Sequence, residues 1–133
     1  MKVMLDTNIC IYLIRQKPVQ VLEKFQHYNL GDIGVSTITV AELQYGVAKS
    51  QQQQQNQNAL TQFLAPLEIA DFDAAAALKY GQIRAELERL GTPVGANDLL
   101  IASHALGLGV VLVTNNEREF SRIPALTIEN WVD

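Results

Sequence analysis

The chain has 133 residues, enough for one domain with a proper core, and its 48% hydrophobic share against 18% charged residues is that of a globular protein. A formal net charge of −4 counts against a nucleic-acid partner gripped by general electrostatics and excludes an argument from charge alone, but leaves room for a nucleic-acid enzyme whose acids gather in one site. No apolar run is long enough to span a membrane, the start does not read as a signal peptide, and the one cysteine, Cys10, can form no internal disulfide, so a reduced thiol in the cytoplasm is expected.

Residues 2–6 read as a buried strand, apolar on both faces as a parallel sheet requires. In KVMLDTNICIY, residues 2–12, Asp6, Thr7 and Asn8 break the apolar run before a short helix over 8–16. Pro18 suits the first turn of the helix that VQVLEKFQHY carries to about Tyr28, and Asn29, Gly31 and Asp32 mark a turn. IGVS, 33–36, is the second strand, with Ser36 or Thr37 capping the helix of TVAELQYGVAKS. The tract QQQQQNQN, 51–58, reads as a solvated helix end or connection rather than a prion-like segment, and NALTQFLAPL resumes helical spacing. LEIA, 67–70, is a third strand. DAAAALKYGQIRAELERLG is a long helix with Asp71 and Asp73 as caps at its start and Gly91 as its C′ residue. Asn97 or Asp98 opens the helix DLLIASHALGLG, and VVLV, 110–113, is a fourth buried strand. A last short strand falls near LTIEN, after TNNEREF. Strands alternating with helices, without repeat or linker, imply one α/β domain over 1–133 with a mostly parallel sheet.

Ligands of open parallel sheets bind beyond the carboxyl ends of the strands. Asp6 ends the first strand, Glu42 lies in the helix after the second, Asp98 opens the helix before the fourth, and Glu119 follows the TNN turn. At about 100° per residue, Asp98 falls within roughly 40° of Ala102 and Ala105, on a helix apolar nearly all round; Glu42 lies on the margin of an apolar face. Carboxylates that cluster repel one another and raise their pKa values unless a cation holds them. All-oxygen ligands suit Mg²⁺ or Mn²⁺, and the chemistry such a site performs is phosphodiester hydrolysis by activated water.

On residues alone, ordinary caps and solvated charges weigh about equally with a metal site, and Asp6 is the acid hardest to explain that way. Glu23, Glu86, Glu88 and Glu117 read as solvated faces. His104 reads as a packing or surface histidine and His27 as exposed, with no Ser–His–Asp order or zinc spacing to recruit them. Arg15, Lys17, Lys49, Arg84, Arg89, Arg118 and Arg122 are candidates for phosphate contacts, Arg84 first among them, with plain solvated charge as the reading for most. Tyr12 and Tyr45 are expected at the core edge, with base stacking as the alternative. Leu13, Ile14, Val47 and Trp131 either line a partner surface or are buried.

LDTN at the first strand end, TVAEL with its Glu, GANDLLIA with its Asp and VTNNEREF together resemble the four acidic motifs of PIN-domain ribonucleases, in order and over nearly the whole chain. GQIRAELERLGTPVGANDLLIASHAL and TNNEREFSRIPALTIENW are similar in particular to VapC toxins of bacterial type II toxin–antitoxin systems. The resemblance implies a PIN-like α/β/α sandwich and a Mg²⁺- or Mn²⁺-dependent endoribonuclease. It also implies homodimerisation, neutralisation by a VapB antitoxin, and tRNA as the favoured substrate class, since several such toxins cut the anticodon loop of initiator tRNA. By the same resemblance Asp6 and Asp98 are the principal metal ligands and Glu42 completes the cluster, directly or through water. Thr7 and Asn116 support it. The fourth acid is Asp in many PIN domains; here it is Glu119, with Asn115 and Asn116 nearby. Two other classes remain. A small phospho-acceptor domain would use one strand-end Asp and need neither Glu42 nor Asp98. A catalytically inactive PIN-like binding module would show no stabilisation by Mn²⁺.

Overall fold

A computed structural model describes residues 1–133. Five parallel strands form one sheet in the order β3-β2-β1-β4-β5. They are β1 (Val3–Leu5), β2 (Ile33–Ser36), β3 (Glu68–Ala70), β4 (Val111–Val113) and β5 (Ile128–Glu129). Between β1 and β3 lie α1 (Thr7–Arg15), α2 (Val19–Gln26), α3 (Thr37–Ala48) and α4 (Gln53–Leu64); α5 (Ala74–Leu90) and α6 (Ala96–Leu108) lead to β4, and α7 (Glu117–Phe120) leads to β5.

Side chains alternate across a strand, and the alternation sorts the core into two. Val3, Leu5, Ile33, Val35 and Val113 face one way and pack with Ile9, Leu13, Leu43 and Leu60 of α1, α3 and α4. Met4 and Leu112 face the other way and pack with Leu87, Leu99, Ile101 and Phe120 of α5, α6 and α7. This is the α/β/α sandwich that the alternating elements imply. The chain moves outward from β1 through β2 to β3 and then returns across the sheet to β4 and β5, with helices on both faces.

Most element boundaries fall within two residues of those read from sequence, and the differences have local causes. Helix α1 begins at Thr7 because the Asp6 side chain already accepts from Ile9 N at 2.9 Å. Ser36, not Thr37, caps α3, accepting from Ile38 N at 3.0 Å; the Thr37 hydroxyl instead accepts from Phe72 N. The Gln tract is no mere connection: α4 starts within it at Gln53, supported by Gln54 donating to Asn58 one turn on. Asp73 caps α5 through Ala76 N, and Gly91 ends it in the left-handed region at φ 73°. Within TNNEREF, Asn116 caps the one-turn helix α7, an element too short to show in hydrophobic periodicity.

Strand order reverses at β1, which pairs with β2 on one side and with β4 on the other. Crevices at such a switch point, at the carboxyl ends of the strands, are where open parallel sheets bind ligands. Asp6 stands at that edge.

Candidate active site

Continuing the register past the last paired residues, by two steps against β2 and one against β4, sets Asp6 between Ser36 and Thr114, and all three are buried. Asp6 is 4% exposed, yet it is not orphaned: Ile9 N and the Thr114 hydroxyl both bond its carboxylate. These donors favour the charged form. Burial outweighs them and, with the Glu42 charge adding to it, pushes the Asp6 pKa up to about 6.

Glu42 lies midway along α3, where one helix turn carries it over the start of α1. Thr7 donates to its Oε1 at 2.7 Å, and Asn97 of α6 reaches its Oε2 at 3.4 Å. This acid is therefore held from two other helices. Asp98 occupies the first turn of α6 without capping it, since no side chain caps that helix. Its pKa is pushed up to about 7, first by burial, next by the hydrogen bond and charge of Glu119, then by Asp6 and Glu42. Glu119 stands on α7. Gly95 N donates to its Oε1 at 2.7 Å and Asn116 Nδ2 to its Oε2 at 2.9 Å. A Cβ on Gly95 would come within 3.3 Å of that same Oε1, so the glycine leaves the space that the acid's end occupies. Asn116 N in turn donates to Thr114 Oγ1, tying the fourth acid to the residue beside the first.

All four acids thus face one another from four separate elements, and none has a cationic side chain as partner. Thr7 and Asn116 join them. Asn115 turns aside and donates to the Tyr12 hydroxyl at 3.3 Å. Arg84 is not brought to the cluster: on the exposed side of α5 it bonds the Tyr80 hydroxyl at 2.8 Å and pairs with Glu88 at 3.7 Å. Tyr45, expected at the core edge, is 65% exposed. His104 is buried against Phe72, with its Nδ1 2.8 Å from Ser36 Oγ, and burial lowers its pKa. That pair links α6, which carries Asp98, to the cap of α3, which carries Glu42.

Sequence reasoning missed Thr114, Gly95, Asn97 and the Ser36–His104 pair. The first three lie inside the quoted motifs GANDLLIA and VTNNEREF, and membership of an acidic motif was the available signal. Nothing in the sequence joins Ser36 to His104.

Charge and donor type fit a divalent cation. The set is all oxygen, and like charges raise one another's proton affinity where no counter-charge stands. No three His, Cys, Asp or Glu side chains close around a point as a ready-made cage. Mg²⁺ needs none: it is usually held through one or two carboxylates and keeps several waters.

The family model for the PIN domain matches residues 3–126. A ribonuclease VapC2 of Rickettsia felis is 50% identical over 129 residues, covering 96% of each chain. A tRNA(fMet)-specific endonuclease VapC of Shigella flexneri is 48% identical over 131 residues, covering 98% of each. The solved structure of DNA-bound VapBC from Salmonella typhimurium superposes with a TM-score of 0.93 at 49% identity, again over 98% of each chain. With its acids at the switch point of a parallel sheet and likeness of this degree along nearly its whole length, the chain belongs to the PIN-domain family, among the VapC ribonucleases.

Proposed function

We propose that the chain is the toxin of a type II toxin–antitoxin pair, an endoribonuclease dependent on Mg²⁺ or Mn²⁺. Its substrate class is tRNA, with initiator tRNA the first candidate, and a VapB-type antitoxin neutralises it. One observation carries the reading: four carboxylates from four elements meet at the switch point of the sheet with no cation among them. The relative named for tRNA(fMet) and the solved VapBC complex support the substrate and the partner.

Asp6 and Asp98 are the principal ligands in this proposal, with Glu42 completing the set directly or through water and Glu119 as the fourth acid. When bound, the ion supplies charge to the phosphoryl oxygens and lowers the pKa of water. The chain's own side chains fix the acids. Thr7 and Asn97 hold Glu42, while Gly95 N and Asn116 hold Glu119 beside Asp98. Asn115 supports the site through Tyr12. Thr114 and Ile9 N donate to Asp6 and keep its lone pairs oriented. Residues 1–133 act as one domain in this reading, placed in the bacterial cytoplasm, and a second copy of the chain has the exposed Leu78 of α5 available as apolar surface. No helix is long and apolar enough to cross a membrane.

The test is cleavage of total RNA and of purified tRNAs with Mg²⁺ or Mn²⁺, then with EDTA, beside Asp98→Asn. Cuts that need the ion, and fall by about a thousandfold or more in the variant, are expected. A folded, antitoxin-free wild type that cuts nothing would sink the reading.

A further inference from the structure

An anionic strand approaching four carboxylates on a chain of net charge −4 is repelled unless positive charge stands beside its path. A groove of about 630 Å³ runs between α1 and the α3–α4 pair, and Thr7 and Glu42 line it at the acid end. Arg15 and Lys49 line the same groove. Arg15 is eight residues along α1 from Thr7, and Lys49, the C-cap of α3, is seven from Glu42, so at about 1.5 Å per residue each lies roughly 10–12 Å along its helix axis from Thr7 or Glu42. Neither has a carboxylate partner, whereas Lys2, Arg84 and Arg89 all do. Between Glu42 and Lys49 stands Tyr45, exposed, with Lys49 Nζ 4.9 Å from its ring centroid. A helix dipole accounts for a cation at any helix C-terminus, including Lys24 at the end of α2. It does not account for two of them sharing one groove that opens on Glu42.

We propose that this groove is the track of the RNA strand next to the cleaved bond, with Arg15 and Lys49 contacting its phosphates and Tyr45 presenting its ring to a base. The proposal rests on the ribonuclease reading and deepens it. Phosphate contacts of this kind position a strand without reading its sequence, and an exposed ring accepts any base. The apolar lining and the two cations would also admit an acidic peptide, and the test separates the two occupants.

The measurement is the affinity of the full chain for a labelled single-stranded oligoribonucleotide in EDTA, followed from about 50 to 200 mM salt. Each phosphate contact on a single strand contributes a slope of about −0.7 in log affinity against log salt, so Arg15→Gln with Lys49→Gln flattens the slope by about 1.4. Wild type then loses about sevenfold of its advantage over the double variant across that range. Lys24→Gln, a charge of the same sign outside the groove, leaves the slope unchanged. An unchanged slope in the double variant overturns the track, as does an equal change from Lys24→Gln. So does a double variant that keeps its RNA slope while losing the co-expressed antitoxin, which would give the groove to a peptide. Cleavage with Mg²⁺ is read in parallel. Wild type that cuts while the double variant's slope stays unmoved sinks the track and spares the nuclease; a flattened slope without any cutting does the reverse.

Discussion

Carboxylates sit in two clusters of side chains at the carboxyl ends of the strands, one acid in the first and four in the second, and the clusters are built in opposite ways. Glu129, on β5, accepts from the Tyr28 hydroxyl at 3.1 Å and from Trp131 Nε1 at 2.8 Å, and the two rings stack with centroids 5.5 Å apart. Every contact there is a neutral donor or an apolar face. Asp98, on α6, has three other acids for neighbours and a pKa pushed up to about 7. The first cluster uses a carboxylate to fasten the end of the chain beneath α2; the second leaves negative charge uncompensated at the switch point. Charge left without a partner costs stability, and a fold keeps it only where something else supplies the counter-charge.

Removing the centre of the neutral cluster is the hardest blow to the fold. Trp131 is fully buried among Val3, Val21 and Tyr28, so Trp131→Ala costs about 3–5 kcal/mol and lowers the Tm by roughly 10 °C or more. Cleavage per folded molecule should hold, because the Trp131 indole donates to Glu129 and to none of the four acids. Thermal denaturation beside a cleavage assay well below the new Tm checks both halves. A large loss of activity in well-folded Trp131→Ala would dissolve the division between the clusters.

The acidic cluster should respond in the other direction. A carboxyl whose pKa is higher folded than unfolded takes up protons on folding. Its contribution is therefore greatest below the ordinary aspartate value of 3.8 and is lost as pH rises, through about 6 for Asp6 and about 7 for Asp98. Without divalent ions the Tm should fall between pH 5 and pH 8. Mn²⁺ should raise it more at pH 8 than at pH 5, because ions and protons compete for the same oxygens. Asp98→Asn should flatten that profile and stabilise the metal-free chain at pH 8 by about 1–2 kcal/mol, a figure discounted for the solvent that reaches the site. The variant that destroys cleavage is then the more stable protein, which is the reverse of Trp131→Ala.

The same contrast explains what the sequence discloses. Strand and helix positions were legible because burial on both faces of β1 and β4 leaves apolar runs, and because Asp73 and Gly91 punctuate α5. The acids were legible as a set only through the order of their motifs, since each alone reads as a cap or a solvated charge. What holds them was not. Gly95 N reaches Glu119 across 24 residues and Thr7 reaches Glu42 across 35, and such distances leave no periodicity behind. The cations divide along the same line. Arg84 has Glu88 one helix turn away in its own sequence, a local pair, whereas only packing sets Arg15 in the groove beside Glu42.

The smallest effect tests whether the neutral cluster is as fully partnered as its geometry implies. Tyr28→Phe removes one donor from Glu129 and keeps the ring on Trp131. Trp131 Nε1 still donates to that carboxylate, and Glu129 is only partly buried, so no buried charge is stranded. The cost should be that of one hydrogen bond to a charged acceptor at a solvent-reached site, about 1 kcal/mol, seen as a shift in denaturation midpoint at constant slope. Burial and the Glu129 carboxylate both raise the Tyr28 pKa, so the hydroxyl remains a donor throughout the neutral range and the loss should not vary between pH 6 and pH 8. A loss that grew with pH across that interval would mean that Glu129 feels charge it was not thought to feel, and the two clusters would then differ in degree and not in kind.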